Sequence, residues 1–180
     1  MAAEIKLMSS SQSKEFAIAR KLELDGEFQP CPVEEGDEVF RNGIFEFNIT
    51  RLLAFIDAHS ELFSVEFIAV ADIPGYGGSH LDEKAVRSAD LSRPILIAEI
   101  APGRYNLIDG NHRIAKARQD NAPSVPARRI ACPQHLPFLT STIAYEKYVE
   151  YWNFKLKEMR SRIGSQGATA SPGTAAVPPF

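Results

Sequence analysis

At 180 residues, with 44% hydrophobic and 24% charged side chains, the chain has the composition of one soluble globular domain with room for tails. A formal net charge of −3 excludes a global electrostatic footprint for nucleic acid, which is gripped through clustered Lys and Arg, so a nucleic-acid partner would need a local basic patch. The two cysteines, Cys31 and Cys132, have neither CxxC spacing nor an obvious histidine partner; they read as reduced thiols and give zinc and redox motifs no support.

In chain order, residues 1–13 read as a flexible N-terminus, although Ile5 and Leu7 have the spacing of a short strand. The start lacks a basic region followed by a long apolar core, and nowhere does the chain approach 18 consecutive apolar residues. No membrane partner is therefore expected, and the cytoplasm is the default location. In "DEVFRNGIFEFNI", apolar residues alternate on either side of Asn42-Gly43, a dipeptide suited to the positive φ angles of a tight turn, which predicts a hairpin over 37–47. Asn48 or Thr50 then caps a helix with Leu52, Leu53, Phe55 and Ile56 on one face, ending near His59. "FSVEFIAVADI", rich in β-branched and aromatic residues, predicts a strand over 63–73 before "PGYGGSH" interrupts it.

A compact run comes next: a helix over 81–89, a strand over 93–100, a turn at Pro102-Gly103, the strand "RYNLID", a helix over 111–120 and a strand over 124–130. "TSTIAYEKYVEYWNFKLKEMRSR" sets Ile143, Tyr145, Tyr148, Tyr151, Trp152, Leu156 and Met159 at helical spacings and ends in basic residues that suit a helix C-terminus. The aromatics Tyr145, Tyr148, Tyr151, Trp152 and Phe154 could form a stacking surface for nucleic acid, but helical spacing and the neighbours Glu146 and Glu150 favour core packing. From Gly164 the chain is Gly, Ala, Ser, Thr and Pro without periodicity, the composition of a disordered tail over 164–180. The expected organisation is thus α+β: a hairpin, helix and strand over 14–73, a core over 74–131, and a long C-terminal helix over 132–163 packed on it.

The chemistry concentrates in "IDGNHRIAKAR". A strand ends at Ile108 or Asp109, Gly110 permits a tight reversal, and Asn111 is a good N-cap for the helix beyond it. His112 and Arg113 fall in its first turn, with Lys116 four and three residues further on, so the three share neighbouring surface. A helix start already carries about half a positive charge, and each added cation there costs roughly 0.3–1 kcal/mol, so something anionic is expected to compensate. Two compensations stand side by side: Asp109 pairing with Arg113, or a ligand phosphate held by free helix N–H groups with His112, Arg113 and Lys116 as charged donors.

The stretch "RPILIAEIAPGRYNLIDGNHRIAKARQDNAPSVPARRI" resembles the core of the ParB/sulfiredoxin superfamily, in which a helix and a "PI-apolar" strand lead through "Y-x-L-I-D-G" to a "G-x-x-R-x-x-A" helix start. The likeness covers residues 81–131, with Gly110, Arg113 and Lys116 at the motif positions. It implies a small mixed sheet with helices, and a phosphate or nucleotide site at 109–116, since members of the superfamily bind CTP, ATP or ADP there. Asn111 stands where sulfiredoxin-type chemistry needs the cysteine of G-C-H-R, so that reaction is excluded. "QHLPFLTSTIAYEKY" stands where partition proteins continue into E-N-x-Q-R and a helix-turn-helix reader, which speaks against sequence-specific DNA reading. The shared core also occurs in presumed nucleases and in a kinase acting on a free amino acid.

Further candidates are Arg93, placed to reach a second phosphate, and Arg128 or Arg129, of which only one can share its face. "PGYGGSHLDEK" reads either as a loop over the site, with His80, Asp82 and Glu83 as acid/base groups, or as a linker whose acids favour the next helix start. Phosphoryl transfer or hydrolysis would need a carboxylate; Asp109 and Glu83, with Asp82, are the nearest. His59 and His135 have no partner that spacing identifies, and no metal site is expected. The expected function is binding of a nucleoside di- or triphosphate with Mg²⁺, or another phosphate-bearing small molecule, by Gly110, Asn111, His112, Arg113, Lys116 and Arg93, with hydrolysis or phosphoryl transfer as an extension. The alternatives are a non-catalytic DNA-associated or protein-interaction module, and a nuclease.

Overall fold

A computed structural model describes residues 21–43, 45–73 and 81–167. The expected N-terminal segment 1–13, the loop carrying His80 and the tail beyond 167 lie outside the described residues. The chain is α+β, with two small sheets. Strands β1 (Val39–Asn42) and β2 (Phe45–Asn48) form an antiparallel hairpin with Gly43 at φ +65°. Its register sets Phe40 opposite Phe47, Arg41 opposite Glu46 and Asn42 opposite Phe45, so the reversal lies one residue later than the Asn42-Gly43 turn expected from sequence. A one-residue slip moves a strand's side chains to the other face. The observed register lets Arg41 pair with Glu46 and keeps Phe40 against the core beside the buried Phe45 and Phe47, which outweighs the local turn preference.

Helix α1 (Ile49–Ala58) is capped by Asn48, whose Oδ1 accepts from Arg51 N at 3.0 Å. Thr50 serves elsewhere: its Oγ1 accepts from Glu38 N at 2.8 Å, while Ile49 N donates to Glu38 O at 2.8 Å. Both backbone groups of Glu38 are therefore tied to the start of α1. Strand β3 (Val65–Ala69) is shorter than the apolar run suggested, because Val70–Asp72 coil into a 3₁₀ turn that buries Val70 and is followed by the buried Ile73. Helix α2 (Glu83–Ser88) is capped by Asp82, whose Oδ1 accepts from Lys84 N at 2.9 Å.

Strands β4 (Ile95–Ala101) and β5 (Arg104–Asp109) join through the Pro102-Gly103 turn, and helix α3 (Asn111–Gln119) crosses over to β6 (Ser124–Ile130). The four-stranded sheet runs β3-β6-β4-β5, with β6 parallel to β4 and the other pairs antiparallel. β4 is buried on both faces, as a strand covered from two sides must be. Its period-2 alternation separates two cores. Leu96, Ala98 and Ile100 meet β2, α1 and the closing helix α4 (Thr142–Gly167), whereas Ile95 and Ile97 meet Ile114 and Ala117 of α3.

The inward stripe of α4 is Ala144, Tyr145, Tyr148, Val149, Trp152 and Leu156, so Tyr145, Tyr148 and Trp152 pack in the core as expected and Tyr151 lies partly buried against it. Phe154, expected with them, is 56% exposed because it lies two positions past Trp152 on the outer side of the helix. Ile143, expected on the stripe, is 71% exposed, since a residue two positions from Tyr145 lies on the far side of the helix. The helix continues to Gly167, past the end expected near 163; propagation adds a hydrogen bond for each residue fixed, so the change of composition at Gly164 does not itself stop it. Among the described residues no helix is long and apolar enough to cross a membrane.

One polar group of side chains lies inside the first core. Glu99 is 4% exposed; its carboxylate accepts from Gly103 N at 2.9 Å and Cys132 N at 3.2 Å. Its carbonyl accepts from Tyr148 OH at 2.9 Å and from His135 Nε2 at 2.8 Å. His135 is completely buried, and that burial lowers its pKa from 6.5 to about 4 despite the bond to Glu99. An unfolded imidazole takes up its proton near 6.5 and this folded one only near 4, so in that window the unfolded chain binds the extra proton. Stability is full above the unfolded value and is lost as pH falls toward the folded one, by roughly 1.4 kcal/mol per unit and about 3 kcal/mol in all. Urea denaturation at stepped pH should show this slope, and His135→Gln should flatten it; an unchanged slope in the variant would exclude His135 as its source.

Candidate functional site

The site is built where β5 turns into α3. Gly110 sits at φ +107°, and a Cβ on it would lie 2.6 Å from Ile95 Cγ2 and 3.0 Å from Arg113 Nε. Only glycine combines that backbone angle with so close an approach. Gly110, not Asn111, is therefore the N-cap, and Asn111 is the first helical residue. The intrinsic capping preference of Asn is overridden by the reversal, which needs the left-handed residue one position earlier. Because the cap has no side chain, the first-turn amides of α3 receive no side-chain cap.

Two polar atoms at this turn are buried without a partner: Asn111 Oδ1 and Arg113 Nε. The other edge of the Arg113 guanidinium is engaged, Nη2 donating to Asp109 Oδ2 at 2.6 Å, with the two side chains 13% and 16% exposed. The turn forms one wall of a cleft of about 370 Å³. Its other wall runs from α2 into the segment that leads to β4, with Ala85, Ser88, Ala89, Asp90 and Arg93, and Glu38 and Phe40 of the hairpin complete the lining.

Of the residues expected in the site, Asp109, Gly110, Asn111, His112, Arg113 and Arg93 are brought together. Lys116 does not line the cleft: its Nζ donates to Ala89 O at 2.8 Å and Arg87 O at 3.2 Å, drawn to the carbonyl end of α2. Glu83 also lies outside the lining, at the exposed start of α2, where it pairs with Arg87 at 3.3 Å. Asp82 is used as the α2 cap. Arg128 donates to Asp57 at 2.6 Å and Arg129 to Glu66 at 2.5 Å, the latter guanidinium lying 4.6 Å from the Tyr105 ring centroid, and neither lines the cleft.

Glu38, Phe40, Ser88 and Asp90 are cleft residues that sequence reasoning misses. Asp90 has a signal, the Asp-x-Ser pattern of an Asx turn: its Oδ1 accepts from Ser92 Oγ at 2.7 Å and Ser92 N at 2.9 Å. Those bonds hold its carboxyl below the usual range, with Arg93 and Lys116 adding smaller attractions. Glu38 has none, since it arrives from a separate sheet. Among the described residues the side chains of Glu38, Arg93 and His112 have no hydrogen-bond or ion-pair partner. No set of three or more His, Cys, Asp or Glu side chains is gathered so as to hold a metal ion among the described residues.

The cleft lining brings together the uncapped start of α3, the His112 imidazole and the Arg93 guanidinium, with the unpartnered Arg113 Nε buried beneath it, and helix amides with guanidinium groups are the chemistry of anion binding. No family model matches the chain, and no curated protein or solved structure is detectably similar to it.

The clash at Gly110 is testable without any ligand. Gly110→Ala forces a side chain into a left-handed residue at a cost of about 1–3 kcal/mol, and displaces Ile95 or Arg113 besides. The melting temperature should fall by roughly 4–8 °C for a loss of about 2 kcal/mol. An unchanged melting temperature would mean that the reversal is made differently.

Proposed function

We propose that the cleft binds a phosphate-bearing small molecule, a nucleoside di- or triphosphate in the first place, at the start of α3. The observation that carries this reading is a pair of buried, unpartnered atoms, Asn111 Oδ1 and Arg113 Nε, on two residues that line the cleft. Leaving a buried polar group unpaired costs about 1–3 kcal/mol, and a bound ligand with both acceptor and donor groups would recover it. In this reading the α3 amides and Arg113 Nε hold phosphate oxygens, Gly110 lets the backbone approach, and His112 and Arg93 counter the charge from two sides. Asp109 orients Arg113 through its other edge. The resemblance of residues 81–131 to the ParB/sulfiredoxin core supports the same ligand class, and the order helix, strand, strand, helix, strand suits it.

Hydrolysis or phosphoryl transfer would need a carboxylate to orient a nucleophile or share a Mg²⁺ brought in by the polyphosphate. Asp109 is engaged by Arg113 and Glu83 lies outside the cleft lining, which leaves Glu38 as the lining carboxylate without a partner among the described residues. The close Asp109–Arg113 pair favours a second reading, in which Arg113 is structural and the domain is a non-catalytic interaction module.

A melting-temperature panel with CTP, ATP, ADP and GTP, each with Mg²⁺, separates the two. Under the binding reading at least one nucleotide stabilises the protein. Arg93→Ala and His112→Ala should leave the unliganded melting temperature nearly unchanged, because neither side chain has a hydrogen-bond or ion-pair partner among the described residues and Arg93 has only a minor attraction to Asp90 to lose, but weaken the best ligand about 10- to 100-fold. Under the second reading no nucleotide shifts the transition, while Arg113→Met still removes up to about 3 kcal/mol by stranding Asp109.

A further inference from the structure

We propose that Lys116 is a positioning residue: from α3 it latches the carbonyl end of α2 and so fixes the far wall of the cleft without touching the ligand. The proposal rests on the phosphate-binding reading for its functional consequence, not for its geometry. Helix α2 has six residues and one buried side chain, Val86. A helix this short does not persist on its own, so its place depends on what grips it. The carbonyls of a helix's last turn have no partner within the helix. Lys116 Nζ fills that role for two of them, Ala89 O at 2.8 Å and Arg87 O at 3.2 Å. These are charge-assisted bonds, about twice as strong as neutral ones, and the ammonium also meets the negative end of the α2 dipole.

The two ends of this contact belong to the two sides of the cleft. The gripped turn carries Ser88, Ala89 and Asp90, which line one wall. The gripping helix carries Asn111, His112 and Arg113, which line the other. One side chain thus spans between the elements that bear the two walls and sets their separation. Arg118, two residues along α3, donates in the same manner to Ile73 O at 2.8 Å, so α3 anchors the backbone of two neighbouring segments. Releasing Lys116 frees the end of α2, and a ligand must then order that wall as it binds, which lowers affinity.

Amide hydrogen exchange of the full chain, without ligand, reads the latch directly. In Lys116→Met the amides of residues 86–90 should exchange at least tenfold faster than in the wild type, with β4 and the buried stretch of α4 unaffected, and Lys116→Arg should restore slow exchange. Titration with the nucleotide that best stabilises the wild type should show affinity reduced fivefold or more in Lys116→Met and largely restored in Lys116→Arg. Unchanged exchange at 86–90 overturns the latch. Weaker binding with unchanged exchange overturns it too, and makes Lys116 a direct ligand contact instead. If no nucleotide binds the wild type, the function proposed above is lost, and the exchange comparison alone decides the latch. Lys116→Gln takes the place of the Met variant if that one does not fold.

Discussion

The close approach of Gly110 to Ile95 is the constraint on which the architecture turns. With no Cβ at residue 110 and φ at +107°, the chain leaves β5 and enters α3 within a single residue, directly against the first residue of β4. That reversal lets Ile114 and Ala117 drop onto Ile95 and Ile97 and form the second core. It also starts the crossover that returns β6 parallel to β4. The same residue leaves space for the Arg113 guanidinium, which folds back one helical turn to meet Asp109. Packing and site are therefore a single event, and neither can be altered at residue 110 without the other.

The opposite face of the sheet supplies the rigid half. There Glu99 takes four donors: two through its carboxylate, Gly103 N and Cys132 N, and two through its carbonyl, Tyr148 OH and His135 Nε2. His135 Nδ1 stays buried without a partner, but the oxygens of Glu99 are satisfied, and satisfied buried polar groups fix geometry more than they add stability, because any rearrangement strands one of them. The group ties α4 and the segment before it to β4. Phe45 then packs edge-on against Tyr148, with ring centroids 5.1 Å apart, which seats the hairpin on the same assembly. From that seat β1 and the residue before it reach the cleft. Glu38, held by both backbone groups at the start of α1, presents its side chain from a fixed point although it belongs to a different sheet from Asp109.

Legibility in the sequence divides along the range of the interactions. β5 and β6 are legible to the residue, because their alternation and flanking turns are local. The inward stripe of α4 is largely legible for the same reason, apart from Ile143 and Phe154, which are both exposed. The hairpin register is not, because it is decided by the burial of Phe40 and by the Arg41–Glu46 pair, neither of which a turn dipeptide encodes. Propensity places the cap of α3 on Asn111, whereas the approach to Ile95 that demands a glycine is a tertiary fact. Helical spacing puts Lys116 on the same surface as His112 and Arg113, but a long side chain goes where its head is best paired, and the carbonyls of α2 lie within its reach. Half the site, the continuous turn 109–113, is thus visible in the sequence, and the half contributed by α2 and the hairpin is not.

The crowding of cations at the start of α3 is resolved in a way that sharpens the reading of the cleft. Arg113 is offset by Asp109, and Lys116 is led away to the α2 carbonyls, so two of the three charges that looked unfavourable are compensated within the fold. An anion is not needed to balance them. What stays unbalanced is narrower: the uncapped amides of α3, His112 beside them, and Arg93 on the other wall. Asp109 engages Nη2 and leaves Nε of the same guanidinium without a partner, so the ion pair holds Arg113 in place rather than using it up. A structural pair and a binding group are then two edges of one side chain. The case for a ligand accordingly rests on hydrogen-bond groups left open and on two lining side chains, His112 and Arg93, without a hydrogen-bond or ion-pair partner among the described residues, not on the net charge of the motif.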